Sequence, residues 1–310
     1  MIARSTIADI SVLAEWEFNY LTDIKWSPDS AIFAVSTHDG IYFVDITTFE
    51  KKRFQYATPN WYRDIDFSPD GSELAATDGT IIFLWDIYKD KVIAELSDDI
   101  CEAGDRIVYH PGGGFLASGI TKGVYASDYE TSIYFWDLDN RRCSPLVENL
   151  IGYLDEFSFS LDGRFLLNTE LTHLKTYLWN IDTLDIACTS DGSIATTNSA
   201  NNLLAVSNYK DPKNITLIDI SSCGPVDTLT QSVFSTELTF SPDGSILAGA
   251  GSSSIAFWDV HAREIVHDID NLPTMIEKIL FSPDGRYFVS VIHSNSPDAL
   301  YQIDLWGVAY

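Results

Sequence analysis

No apolar run in this chain of 310 residues approaches the roughly 18 residues that a membrane-spanning helix needs, so an integral helical membrane protein is excluded. Cysteine is equally scarce. Cys101, Cys143, Cys188 and Cys223 are the whole complement and no two form a CxxC pair. So few cysteines do not make a disulfide scaffold, and no spacing supports zinc, so they are expected to be half-buried thiols in a reducing compartment. The opening stretch, MIARSTIADISVLAEWEF, lacks a continuous apolar segment followed by a small-residue cleavage site, which makes the cytoplasm the expected address. Bases are few as well: 19 Lys+Arg stand against 45 Asp+Glu, a formal charge of −26. Such a surface repels phosphate backbones and anionic lipid, so nucleic acid and membranes are excluded as partners and basic proteins are favoured.

Catalytic signatures are missing too. No GxSxG, HExxH, GxxxxGK[ST] or EF-hand loop occurs, and the glycines of PGGG (112–114) fall in a turn between strands, where they do not cradle phosphate. His38, His173 and His293 lie in separate loops and are read as exposed histidines, not metal ligands; no metal or cofactor is expected.

What the chain has is repetition. FSPDG occurs at 67–71, 240–244 and 281–285, and aligning on its aromatic adds Trp26, Tyr109, Phe159 and a degraded copy at Thr197, at intervals of about 40–50 residues. In step with it runs a second handle, an apolar residue or Trp before an acid or amide: Val44-Asp45, Trp85-Asp86, Trp136-Asp137, Trp179-Asn180, Ile218-Asp219, Trp258-Asp259 and Ile303-Asp304. Between the handles lie short strands such as SELAAT, NLLAVS and SIAFWDV, so each unit reads as four antiparallel strands, a to d. Ser-Pro-Asp-Gly itself reads as a tight a–b turn, with Pro pre-setting φ, Asp accepting backbone N–H groups and Gly taking the left-handed conformation.

A period of this length with four strands and a Trp-Asp pair is the pattern of a propeller blade, and on these residues the sequence resembles the WD-repeat β-propeller family over nearly its whole length. The copies lack the Gly-His dipeptide usual before strand a, so rigidity is expected to come mostly from apolar packing. The predicted fold is an all-β, seven-bladed propeller forming a single domain over 1–310. Its blades fall roughly at 20–58, 62–98, 104–148, 154–190, 194–231, 235–270 and 276–310, the last completed by residues 8–17 as its strand d. Closure by the N-terminal strand removes exposed sheet edges.

The register also assigns sides. The a–b and c–d turns carry ten bases, Lys51, Lys52, Arg53, Lys89, Lys91, Arg141, Arg142, Arg164, Arg263 and Arg286, and form the bottom. The opposite, top side is acidic, with Asp23, Asp64, Arg106, Glu156, Ile194, Glu237 and Lys278 at its inner rim. Its loops bring Phe18, Tyr20, Trp61, Tyr62, Tyr153, Phe234 and Met275, and the long 118–131 segment adds Tyr125 and Tyr129. Large apolar groups among acids have the composition of an interface that takes a basic or amphipathic segment. The expected function is therefore a non-enzymatic interaction scaffold or receptor, in keeping with what the resemblance implies, and compatible with a place in a larger complex. The alternative is a propeller enzyme or a small-ligand or metal-binding protein using the acidic channel mouth. A second interaction variant places an acidic partner on the basic bottom.

Overall fold

The computed structural model describes residues 2–54, 61–99, 101–125, 128–198, 200–230, 235–294 and 300–308. Seven four-stranded antiparallel sheets make a seven-bladed propeller, and the only helical element among the described residues is a 3-10 turn at Ile7–Asp9. Innermost strands a are Leu21–Trp26, Asp64–Phe67, Arg106–Tyr109, Leu154–Phe159, Ile194–Asn198, Glu237–Phe240 and Ile276–Phe281. By contact density the chain falls into two compact units, one of Met1–Asn19, Leu174–Trp179 and Asp185–Tyr310, the other of Tyr20–His173 and Asn180–Leu184.

The SPDG turns form as their chemistry dictates. Asp70 accepts from Ser68 Oγ (2.7 Å) and the Ser72 N–H (3.0 Å), while Ser68 Oγ accepts the Glu73 N–H. Asp243 does the same with Ser241 and Ser245. Backbone donors beside Asp70, and Ser241 with Ser245 beside Asp243 despite some burial, hold both carboxyls below their usual range.

The Trp-Asp pairs divide their labour. Three of these Trp residues pack against the preceding blade: Trp85 lies in a cluster with Ala34 and Ile41, Trp136 in one with Ala75, Ile82 and Leu84, and Trp258 in one with Ala205, Ile215 and Leu217. Full burial of a large apolar side chain is worth about 1.5–3 kcal/mol, so each of these contacts helps hold its blade to the one before. The acid instead shapes the c–d turn. Asp45 accepts the N–H groups of Thr47 and Thr48, Asp137 that of Asn140, Asn180 those of Asp182 and Thr183, and Asp259 that of Ala262.

Blade 7 corrects one alignment. Phe288 pairs with Trp306 as Leu74 pairs with Trp85, so the Trp-Asp place is held by Trp306-Gly307, three residues beyond Ile303-Asp304. Trp306 joins the cluster with Ala248, Ile255 and Phe257 of blade 6 and donates to Ser290 Oγ, as Trp136 does to Ser118 Oγ. The acid is missing because the turn is missing: strand c of this blade, Tyr301–Val308, pairs with Ile10–Phe18 from the other end of the chain. The closing strand is the expected one. Residues before it also contribute, because Ile2 and Ile7 are buried in the same cluster.

Two further expectations change. All four cysteines are oxidised, as Cys101–Cys143 and Cys188–Cys223, so the reading of half-buried free thiols is overturned. Sequence spacing hides the pairs because each joins residues brought together only by blade geometry. The long b–c segments of blades 3 and 5 are mostly strand: Lys122 pairs with Glu130, and Asn208 with Asp211, leaving short tips.

Candidate functional site

Strand a is the innermost of each sheet, so its inner edge has backbone donors with no ladder partner. In the unit holding blades 1 to 3 these donors are met by carboxylates. Asp64 accepts the Ile107 N–H and Asp66 the Tyr109 N–H, both at 2.7 Å, so alternate residues of one strand a reach across to the next. Lys25 Nζ lies 3.8 Å from Asp23 Oδ2, and Arg106 Nε donates to the Asp155 carbonyl at 3.2 Å.

Electrostatics follow from this crowding. Burial pushes the Asp64 carboxyl well above its usual range and neighbouring Asp23 adds to the shift, against the pull of Lys25 and Arg106. Burial, aided by Asp23, raises Asp66 to about 6 despite Lys25 and the Tyr109 N–H. Burial alone would lower the Lys25 ammonium, but Asp23, Asp64, Asp66 and Glu156 hold it above its usual range. The rim is a charged network whose acids outnumber its bases.

Of the expected rim residues, Asp23 and Asp64 are thus buried within this network, while Arg106 and Glu156 are partly exposed. Glu237 and Lys278, in the other unit, are partly exposed on strands a of blades 6 and 7. Sequence reasoning missed Lys25, Asp66 and Asp155. The signal for the first two is strand alternation: each stands two residues beyond a rim position, Asp23 or Asp64, and so shares its face.

Outside the rim two aromatic groups face solvent. Trp61 is 60% exposed, and its ring meets His38 edge-on at 3.9 Å, while Tyr20 stacks flat on His38 at 4.3 Å. The loop of blade 3 presents Tyr125, 71% exposed, and Tyr129 meets Tyr153 edge-on at 5.4 Å, with Ile151 exposed nearby in sequence. Tyr62 and Phe18 are corrections: both are buried, and Tyr62 packs edge-on against Phe83 and Trp85 to anchor its loop. Met275 is exposed, and Phe234 lies outside the described residues.

Half of the bottom bases stand beside an acid. Lys52 pairs with Glu50, Lys89 with Asp86, Arg164 with Asp162, Arg263 with Asp227 and Arg286 with Asp284. Five of the ten bases therefore have an acid beside them, and Lys51, Arg53, Lys91, Arg141 and Arg142 are outside these ion pairs.

The histidines have their own partners. His38 sits between rings, where desolvation lowers its pKa in spite of Asp39; His293 Nε2 meets Glu277 at 2.7 Å, and His173 Nδ1 lies 3.7 Å from Glu170. Asp98, Cys101 and Cys143 bring ligand atoms within 4.8 Å of one another, but the two sulfurs are bonded together and offer no thiolate.

Comparison with known proteins places this geometry. Residues 223–259 match the family described as WD domain, G-beta repeat. No curated protein matches the chain in sequence. Among solved structures, a chain of "Crystal Structure of Mitotic Checkpoint Complex" is similar at a TM-score of 0.74 and 16% identity, covering 97% of this chain and 92% of that one. With its handles in register and its blades four-stranded, the chain folds as a seven-bladed β-propeller, and its residues 223–259 are those that match the WD domain, G-beta repeat family.

Proposed function

We propose that the chain is a non-enzymatic interaction scaffold or receptor whose top face receives a basic or amphipathic segment of a partner protein. The observation that carries this reading is the pairing of exposed aromatics, Trp61, Tyr20 and Tyr125, with a rim of five acids, Asp23, Asp64, Asp66, Asp155 and Glu156, against two bases, Lys25 and Arg106. Aromatic anchors dominate interface energetics, and a surplus of acid steers cations towards them. Glu156, Arg106, Trp61, Tyr125, Tyr129 and Tyr153 are its contact residues in this unit, with Glu237, Lys278 and Phe234 assigned to the same role from their place in the repeat. Asp23, Asp64 and Tyr62 act from beneath, supplying field and support. A similar chain occurs in a structure titled as a complex, which suits a subunit role here.

The rim carboxylates argue for binding over catalysis because Asp64 and Asp66 each commit an oxygen to a backbone N–H. Raised carboxyls are nonetheless what an acid–base site would show, which keeps the small-ligand reading as the second one. Affinity capture with the wild-type chain and with Trp61→Ala, Tyr125→Ala and Glu156→Arg separates the two. Loss of a stoichiometric partner in the variants, with melting temperature unchanged, supports the scaffold. No partner with the wild type, together with a stoichiometric small molecule or divalent ion in the purified protein, refutes it.

No helix among the described residues is long and apolar enough to cross a membrane. The expected cytoplasmic address is set against two disulfides, which persist in oxidising compartments. Trapping thiols by alkylation at lysis decides: four alkylated cysteines support the cytoplasm, and four blocked ones refute it.

A further inference from the structure

The a–b turn of blade 3 departs from its siblings. Gly112 stands where other blades carry Asp70, Asp162, Asp243 and Asp284, and Gly114 where they carry Ser72, Arg164, Ser245 and Arg286. A Cβ built on Gly113 or Gly114 meets nothing within 4 Å. The three glycines border a cleft of about 500 Å³ between blades 2 and 3, on the turn side, away from the rim and aromatics of the top face. Ligand pockets commonly fall between about 300 and 1,000 Å³.

Its lining has two characters. Leu84 and Ile93 of blade 2 and Leu138 of blade 3 make an apolar floor. On the wall, Glu73 accepts a hydrogen bond from the Tyr109 hydroxyl at 3.2 Å and has no ion-pair partner among the described residues. Burial raises the Glu73 carboxyl, and Asp70 and Asp86 raise it further against the pull of Tyr109. Asp70 and Asp139 also line the cleft, while Arg141 is its one base and is exposed. A half-buried carboxylate in a negative field above apolar ground lacks a cation whose stem is hydrocarbon.

We propose that this cleft binds a lysine or arginine side chain from a segment of a partner protein, its aliphatic stem against Leu84, Ile93 and Leu138 and its charged head at Glu73. Long basic side chains are amphipathic in this way, and a charge-assisted bond to a partly buried carboxylate is stronger than a neutral one. An acidic side chain would meet three carboxylates and one guanidinium. The site is independent of the top-face reading, and its occupant need not be the same protein.

The test uses the full chain and capped tripeptides, acetyl-Gly-X-Gly-amide with X as Arg, Lys, Leu or Glu, followed by amide chemical shifts. The Arg or Lys peptide is expected to shift Ile93 and Gly112 to Gly114 in a saturable, millimolar titration that the Leu and Glu peptides do not reproduce. Glu73→Gln should weaken that binding about tenfold. Ala94→Trp, on the partly exposed strand d bordering the cleft, should abolish it by filling the space, and carries the test should Glu73→Gln not fold. Equal binding of the Leu or Glu peptide, unchanged binding in both variants, or no shift at these amides would overturn the proposal.

Discussion

At residue scale the degenerate copies of the turn motif turn out to be compensated, not merely eroded. Blade 3 has His110 in place of the turn Ser, and its Nε2 bonds to the Gly163 carbonyl of the next turn at 3.0 Å, while Nδ1 accepts the Gly112 N–H at 3.1 Å. This assigns the proton to Nε2. In blade 5, where the motif reads TNSAN, Asn198 and Asn201 both donate to the Gly244 carbonyl, at 2.9 and 3.1 Å. The glycine carbonyl is approached closely in each case, so a side chain there has no room. Gly244→Ala would place its Cβ 2.2 Å from Asn198 Nδ2 at φ +70°, whereas Gly113→Ala has φ +71° and open space. Both should lose about 1 kcal/mol to left-handed strain, and Gly244→Ala roughly 1–3 kcal/mol more, measured as the difference in urea midpoint. Equal losses would show that the contact is not tight.

At the scale of elements, strand a carries the charge network, and its behaviour is a question of sign. The unfolded Asp66 carboxyl titrates near 3.8 and the folded one near 6, so between those values the folded chain holds the extra proton. Stability therefore falls as pH rises through that window, by up to about 3 kcal/mol from this group. Asp66→Asn keeps an acceptor for the Tyr109 N–H and should flatten the pH dependence of the denaturation midpoint between those limits; an unchanged slope refutes the assignment. The strands themselves were legible in the sequence because aromatic, turn and Trp-Asp handles repeat with the blade. Blade 7 misled because its handle was sought as an acid, when the acid exists only to shape a turn this blade does not have. The candidate site was legible in part: a repeat register places Asp64 or Tyr62 on a side of the propeller, but burial depends on what the adjacent blade brings, which one copy of the pattern does not contain.

The whole molecule is held by links the repeat does not encode. Cys101–Cys143 spans 42 residues and ties the loop between blades 2 and 3 to the outer strand of blade 3, and Cys188–Cys223 spans 35 and ties blade 4 to blade 5. Loop closure of this size is worth roughly 2–4 kcal/mol per bridge, so replacing either pair by serine should lower unfolding free energy by that amount, and added reductant should lower the wild type but not the double-bridge variant. Ring closure makes a second prediction. Removing residues 1–18 deletes the strand paired with Tyr301–Val308 and the buried Ile2 and Ile7. The truncated chain should associate through the bared strand, giving oligomers on size exclusion where the full chain gives a single species.

That closing strand also sets a timetable. Ile10–Phe18 leaves the ribosome long before Tyr301–Val308, so at about 5–20 residues per second the early strand waits roughly 15–60 s for its mate. Throughout that interval an amphipathic nine-residue edge, with Trp16 and Phe18 destined for the interior, stands unpaired. The seventh blade is thus the last to be sealed during synthesis, and a nascent chain stalled short of residue 301 presents to the cell's chaperones the surface that the finished ring conceals.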